Sequence, residues 1–187
     1  MKNQDLFIEN EFYHVYNRAV GIEKLFFSDE NRRYFLLKLG EYLLPFSELH
    51  AYCLLDNHFH LLIRVNENVE DKKLTNAFRS WFISYTKALN KQKGRNGGLF
   101  TRPFKRKHIN KESYYSAVIR YIHHNPRKHG IMYDFTNYQW SSYQAIISTK
   151  PTKLSRDFVL NWFENRDEFV KFHDIENEVE RTFQLED

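Results

Sequence analysis

Alternation of apolar and polar positions predicts four short strands. Residues 11–20, 49–55 and 58–65 are rich in aromatic and branched side chains, and residues 104–109 alternate lysine or arginine with other residues. Only Asp56–Asn57 separates the second strand from the third, and both are turn residues. The sequence therefore predicts a β-hairpin there, with a fourth strand further along the chain.

Helical spacing predicts three longer helices. One begins after Ser28 or Asp29 and runs to residue 44 before Pro45, and the clearest covers residues 74–89, where apolar positions recur at i, i+3, i+4 and i+7. The third spans residues 111–125 and should end there, because Pro126 disfavours helical geometry in the preceding residue. The first six elements match the split βαβ order of a ferredoxin-like fold. The expected fold class is α+β, an antiparallel sheet with helices on one face.

The chain changes character after residue 133. Residues 138–143 are aromatic and turn-like, and residues 167–187 hold eight acids against two Lys/Arg. The sequence predicts a main domain over residues 1–133 and a C-terminal helical extension over residues 134–187. Its acidic tail is either a solvated helix pair, or a segment packed on or exchanged with the main domain that shields the basic surface or contacts a second subunit.

Composition restricts the compartment and the chemistry. The single Cys53 excludes an intramolecular disulfide and a multi-cysteine zinc site. No apolar run is long enough for a membrane span, and residues 1–5 lack the apolar region of a signal peptide. We expect a protein of the reducing cytoplasm.

Positive charge is concentrated in one part of the chain. Residues 72–133 hold 15 Lys/Arg and one acid, a net charge of +14, although the whole chain carries only +4. Charge of one sign over such a length is typical of a polyanion partner, most often nucleic acid, although solubility alone is the alternative explanation.

Two histidines form the first candidate site. His58 and His60 are two residues apart on a predicted strand and therefore point to one face. Two imidazoles on a rigid strand are half of a site for a divalent metal. The alternative is that one histidine is exposed and the other has a backbone partner.

Tyr121 and Asn125 form the second candidate. They are four residues apart and share one face of the third helix. A structural tyrosine and a helix-ending asparagine would be ordinary on their own. Their position downstream of the histidine pair, in a basic single domain, favours a joint role.

These motifs resemble the single-tyrosine HUH transposases, and most closely their REP-associated tyrosine transposase branch. The resemblance covers roughly residues 11–147. It rests on residues 13–15 (YHV) with 17–18 (NR), 56–62 (DNHFHLL), 98–100 (GLF) followed by 104–105 (FK), 120–122 (RYI) with 125–126 (NP), and 140–143 (WSSY). Two positions depart from the family: Asp56 stands where proline is frequent, and Asn125 stands where insertion-sequence members usually carry glutamine. The second departure leaves the third metal ligand open.

The resemblance implies a metal-dependent enzyme that cuts and rejoins single-stranded or hairpin DNA, and it allows a homodimer. His58 and His60 would hold Mg²⁺ or Mn²⁺, with Asn125 as third ligand or as a contact to the phosphate. Tyr121 would be the nucleophile, forming a 5′-phosphotyrosine and a free 3′-OH. His124 is a candidate proton shuttle, although a helix-end residue is the more ordinary interpretation.

Basic residues near these motifs are the candidate DNA contacts. Phe100 or Tyr16 could stack on an unpaired base. The candidate backbone contacts are Arg18, Arg95, Arg102, Lys105, Arg106 and Lys107.

Two other functions remain open from the residues. One is a domesticated, non-catalytic protein on the same fold that binds hairpin DNA or RNA. The other is a hydrolytic metal nuclease whose site is formed by His123, His124 and His129.

Overall fold

The computed structural model describes residues 5–174 of the 187-residue chain. Among its described helices, none combines the length and the apolar character that a bilayer span requires. The elements are, in order, β1 Phe12–Arg18, α1 Asp29–Tyr42, β2 Ser47–Leu55, β3 His58–Val65, α2 Asp71–Lys93, β4 Lys105–Ile109, α3 Glu112–Lys128, a 3₁₀ turn Phe135–Asn137, α4 Tyr143–Ile147, α5 Arg156–Trp162 and α6 Arg166–Asp174.

The four strands form one sheet in the order β2-β3-β1-β4, and each neighbouring pair is antiparallel. β3 therefore lies between β1 and β2, which is the split βαβ arrangement. The α+β, ferredoxin-like prediction is confirmed. The hairpin between β2 and β3 turns at Asp56–Asn57, as the turn residues predict.

One face of the sheet packs against α1 and α2. Phe59 of β3 contacts Phe35 of α1 and Trp81 of α2, with ring centroids 5.2 and 5.6 Å away. Phe35 and Trp81 in turn lie 4.2 Å apart, and all three side chains are fully buried. Because alternate strand residues face opposite sides, this core turns His58 and His60 to the other face of β3.

The expectation of helices on one face holds for α1 and α2, but α3 lies on the opposite face. The ring of Tyr115 packs on Phe12 of β1 at 4.8 Å, and its hydroxyl hydrogen-bonds Nδ1 of His50 on β2 at 2.7 Å. The second face carries enough aromatic and apolar side chains to bury a helix, and α3 has a long buried side to match it.

The prediction that α3 ends at Asn125 is wrong, because the helix continues to Lys128 with Pro126 inside it. An interior proline removes one helical hydrogen bond and costs roughly 3 kcal/mol. Residues 117–126 of this helix are all buried, so tertiary packing offsets that cost. The consequence is one further turn of helix beyond Asn125, next to the histidine pair.

The segment after residue 133 packs along β2 and α3. The Tyr138 hydroxyl donates to the Leu54 carbonyl at 2.8 Å, and the Trp162 ring lies 4.3 Å from that of Tyr115. Residues 175–187, which hold most of the acidic tail, lie outside the described residues. The division at residues 133 and 134 stays a prediction.

Candidate active site

The two histidines share one face of β3, as their spacing predicts. Their ring centroids are 5.3 Å apart and the rings are perpendicular. Nδ1 of His58 lies 2.7 Å from Oδ1 of Asn57, the preceding turn residue. The central strand and its tight turn therefore fix both imidazoles, which suits side chains that must bind one small target together.

His14 of β1 holds the second histidine of the pair. Its Nε2 lies 2.9 Å from Nδ1 of His60, the rings are stacked at 5.1 Å, and His14 is fully buried. A partner at Nδ1 orients the ring of His60, so that a target would be bound through Nε2. Sequence reasoning gave His14 no role, because its pairing with His60 depends on the register between β1 and β3.

Tyr121 of α3 packs directly against these imidazoles. Its ring centroid lies 5.5 Å from that of His60 and 5.8 Å from that of His14, in both cases edge to face. The side chain is buried, with 4% of its surface exposed. Lys128, an exposed residue two turns later, places Nζ 3.5 Å from the Tyr121 hydroxyl. The tyrosine therefore lies beside the histidine pair, with an ammonium group at its oxygen.

The C-terminal half of α3, from Tyr121 onwards, has one side that faces the histidine pair. Tyr121 contacts His60, and the His129 ring, just after the helix, lies 4.7 Å from that of His58. Asn125 is four residues from each end of that span, so it lies on the same side, between them. Its Nδ2 donates to the Tyr121 carbonyl at 2.9 Å, while Oδ1 is buried without a hydrogen-bond partner among residues 5–174.

The side chains at this site supply some, but not all, of the ligands that a divalent metal ion needs. Across residues 5–174 no group of three or more His, Cys, Asp or Glu side chains could hold a metal ion. His58 and His60 supply two imidazoles, and the buried Oδ1 of Asn125 is an amide oxygen available as a third donor. Such a mixed set suits Mn²⁺ better than Mg²⁺, which prefers oxygen, and it leaves other positions to water or phosphate.

His124 lies on a different side of α3. Its ring stacks on Phe135 at 3.8 Å, and its Nε2 donates to the His173 carbonyl at 3.0 Å. His123 lies 2.8 Å from His173, nitrogen to nitrogen, and 2.8 Å from the Ser142 hydroxyl. The structure thus brings His124 to α6 rather than to the tyrosine. It also separates His123 and His124 from His129, which removes the site expected for the hydrolytic nuclease.

This histidine cluster, defined as His123, His124 and His173, makes stability depend on pH. Burial lowers the pKa of His124 to about 4 and that of His173 to about 3, and it lowers the pKa of His123 as well. Unfolded histidine titrates near pH 6.5, so the unfolded state binds more protons below that pH. The contribution of these histidines to the free energy of unfolding is fully present above about pH 6.5. As the pH is lowered below that value the contribution decreases, until the folded-state pKa values are reached.

We expect urea unfolding to reveal this loss between about pH 6.5 and pH 5, where His173 alone accounts for up to about 2 kcal/mol. His173→Phe should flatten the decline over that interval, whatever its stability at neutral pH. An unchanged decline in the variant would show that other groups carry the pH dependence.

The predicted basic contacts divide between the two faces of β4. Lys105 and Lys107 pair with Tyr16 and His14 in register and share their face. Arg106 points the other way: its guanidinium lies 3.0 Å from the Asp71 carboxylate and above the Phe7 ring at 4.1 Å. Arg106 therefore stabilises the core, and alternation along the strand is the signal that could have separated it from its neighbours.

The other basic candidates surround the site. A cavity of about 270 Å³ at the histidine pair is lined by Arg18 and Lys105, together with His129, and none of its lining residues is acidic. Arg102 is exposed in the loop before β4, while Arg95 is engaged with Glu23 at 3.6 Å. The surface that leads to the histidine pair is thus positively charged, which favours an anionic ligand.

His14→Ala should reduce any reaction at the histidine pair about 10- to 100-fold, the usual loss when a residue that orients a ligand is removed. We expect His14→Gln to recover part of the rate, because its amide can still pair with His60. Initial rates with Mn²⁺ and urea unfolding of both variants measure this. Equal rates for the two variants, at equal stability, would contradict an orienting role.

Comparisons with known proteins agree with these motifs. No family model matches the chain. A Haemophilus influenzae protein named "Putative REP-associated tyrosine transposase" is 30% identical over 115 residues, which cover 57% of this chain. The match spans 64% of that protein, less than two thirds of its length. A solved structure of a REP-associated tyrosine transposase bound to a REP hairpin aligns with a TM-score of 0.68, over 81% of this chain and 88% of that one. At 16% identity, this second likeness concerns the fold.

Proposed function

The chain resembles the REP-associated tyrosine transposases in sequence and in fold, as its motifs predict, and we propose that it cuts and rejoins single-stranded DNA beside a hairpin. The observation that carries the proposal is the contact of Tyr121 with His60 and His14. A tyrosine held against paired imidazoles, beside a positively charged cavity, has the parts that phosphoester transfer requires.

In the proposed reaction the Tyr121 oxygen attacks phosphorus in line with the leaving oxygen. The new bond joins tyrosine to the 5′ phosphate, the bond to the 3′ oxygen breaks, and that oxygen takes up a proton. Lys128 stabilises the phenolate, since its ammonium group lies 3.5 Å away. The proton of the Tyr121 hydroxyl passes to water, and the leaving 3′ oxygen takes its proton from water, so that no net proton is gained or lost. Attack by a 3′-OH on the phosphotyrosine reverses these bonds and rejoins the strand without ATP.

A divalent ion held by His58 and His60, with Asn125 as third ligand, would act as a Lewis acid on a phosphate oxygen. The chain's own residues orient that site: His14 holds the ring of His60, and Asn57 holds that of His58. Lys105 and Arg18 would bind the flanking phosphates from the cavity wall.

A second candidate is a protein that binds hairpin DNA or RNA without cutting it. The burial of Tyr121, with 4% of its surface exposed, is the observation that favours it, because a nucleophile must reach its phosphate. A functional homodimer stays a prediction.

Covalent trapping tests the proposal. The full chain is incubated with hairpin oligonucleotides from the DNA that flanks its gene, with Mn²⁺, Mg²⁺ or EDTA, and is then run on a denaturing gel. We expect a metal-dependent protein–DNA adduct and a free 3′-OH end. Tight binding without adduct or cleavage would support the second candidate, and cleavage without adduct would indicate hydrolysis.

A further inference from the structure

The turn between β2 and β3 leads directly into the histidine pair. Asp56 and Asn57 are the whole connection between the two strands. Two-residue hairpins favour turns with positive φ, because such turns match the twist of the strands that they join. In the part of the chain that the structure describes, positive φ outside glycine occurs at Asn10, Asn68 and Glu164, and so not in this turn. The turn therefore needs support from outside the hairpin.

The segment between β1 and α1 supplies main-chain support. The amides of Leu25 and Phe26 both donate to the Asp56 carbonyl, at 2.7 and 3.0 Å. The Ala19 amide donates to the Asn57 carbonyl at 2.8 Å. Both turn residues are thus tied to the segment that leads into α1, and their position depends on it.

The Asp56 side chain adds a second attachment, to two cations. Its Oδ2 accepts from Nζ of Lys24 at 2.8 Å, and its Oδ1 accepts from the guanidinium of Arg32 in α1. The Lys24 side chain is 54% exposed, and ion pairs with so exposed a partner contribute little. The Arg32 side chain is only 10% exposed. The pair with Arg32 is therefore the one that holds the carboxylate.

Arg32 is fixed in turn by the aromatic segment after α3. Its guanidinium lies 5.6 Å from the centre of the Trp140 ring, and its Nη1 lies 3.8 Å from Oδ1 of Asp29. The indole nitrogen of Trp140 donates to the same carboxylate oxygen at 3.0 Å. A planar guanidinium beside an aromatic ring and a carboxylate is held in one orientation. The contacts thus run from Trp140 and Asp29 through Arg32 to the turn.

The turn acts on His58 through Asn57. Oδ1 of Asn57 lies 2.7 Å from Nδ1 of His58. A ring that is held at Nδ1 presents Nε2 to a ligand, and partners of this kind strengthen ligand binding by orienting the ring. Any shift of the turn moves Asn57 and so changes the orientation of the imidazole.

We propose that Asp56 is a positioning residue for His58. Its carboxylate, held by Arg32, keeps the turn in place, and the turn keeps Asn57 against the imidazole. The inference rests on the proposed function only for the divalent ion that His58 would bind. Proline at the first position of an unprimed turn would restrain the same backbone by its ring, without any carboxylate.

NMR of the metal-free, full-length protein gives the first test, through the imidazole signals of His58, which are identified by their absence from His58→Gln. Asp56→Ala removes the carboxylate, and Asp56→Pro replaces the ion pair by a ring. Glu41→Ala is the matched control, because Glu41 pairs with Lys38 on α1 and its side chain is 48% exposed, as is that of Asp56. Urea unfolding measures the stability of each variant.

We expect Asp56→Ala to shift or broaden the His58 signals, whereas Asp56→Pro and the control keep them. In a Mn²⁺ titration followed by electron paramagnetic resonance, Asp56→Ala should raise the dissociation constant about 10- to 100-fold, the usual loss for a residue that orients a ligand. Asp56→Pro should stay close to the wild type, because the backbone of the turn remains restrained.

Unchanged His58 signals in Asp56→Ala would overturn the inference. Equal losses of Mn²⁺ affinity in Asp56→Ala and Asp56→Pro would do so too, because they would assign the effect to the charge of the carboxylate. Should Asp56→Pro fail to fold, Asp56→Asn decides: it keeps an oxygen for Arg32, so its signals should lie nearer to the wild type than those of Asp56→Ala, and equal signals would count against the inference. Wild-type protein that binds no Mn²⁺ would contradict the proposed function alone, since the NMR comparison needs no metal.

Discussion

Tyr121→Phe is expected to abolish the covalent protein–DNA adduct while leaving hairpin binding within about twofold of the wild type. Only the hydroxyl is removed, so the ring can keep its contacts with His60 and His14. Loss of a nucleophile typically lowers the rate by three orders of magnitude or more. The measurement is adduct yield over time with Mn²⁺, beside the dissociation constant in EDTA.

Tyr133→Phe is the matched control, because this tyrosine follows α3 and is 81% exposed. Its adduct yield should equal that of the wild type. Cleavage that survives Tyr121→Phe would reject the tyrosine as nucleophile and point to water. An adduct that survives it would place the covalent bond on another residue.

The second large effect is expected for His60→Ala, which should remove both metal binding and metal-dependent cleavage. His60 is the point where β1, β3 and α3 meet, in contact with His14 and Tyr121. Without it, a single imidazole of the pair remains, and a hydrated divalent ion is held weakly by one such ligand. We expect the rate to fall about a thousandfold or more, in line with the loss of an essential catalytic group.

Electron paramagnetic resonance of Mn²⁺ provides a readout besides activity, because protein-bound ions lose the sharp signal of free Mn²⁺. Wild-type protein should reduce that signal, and His60→Ala should not. His108→Ala is the control, since His108 lies on β4 beside Tyr13 and is hydrogen-bonded to Glu11. Undiminished Mn²⁺ binding by His60→Ala would refute the metal site proposed for this strand.

The sequence predicted those parts of this site that depend on the pattern within a single strand or a single helix. The period of two along β3 placed His58 and His60 on one face, and helical spacing placed Tyr121 and Asn125 on one side of α3. Both follow from backbone geometry within a single element. The prediction that α3 ends at Asn125 failed because a local preference of about 3 kcal/mol is outweighed by burial.

Partners from distant elements were not predictable in this way. The contact of His14 with His60 joins residues 46 positions apart, and that of Lys128 with Tyr121 depends on the turn of helix beyond Pro126. Alternation along β4 places Arg106 and Lys105 on opposite faces of the sheet. It does not say which of the two faces meets the core. These relations depend on how the sheet and helices pack together.

The contact between His123 and His173 can form only after the later of the two residues has been synthesised. The two residues are 50 positions apart, and ribosomes add about 5–20 residues per second. The helix that carries Tyr121 therefore leaves the ribosome roughly 3–10 s before the partners of its outer side, at these rates. During that interval the outer side of α3 lacks the later segment that buries it, whereas the side that carries Tyr121 already has its partners on β1 and β3.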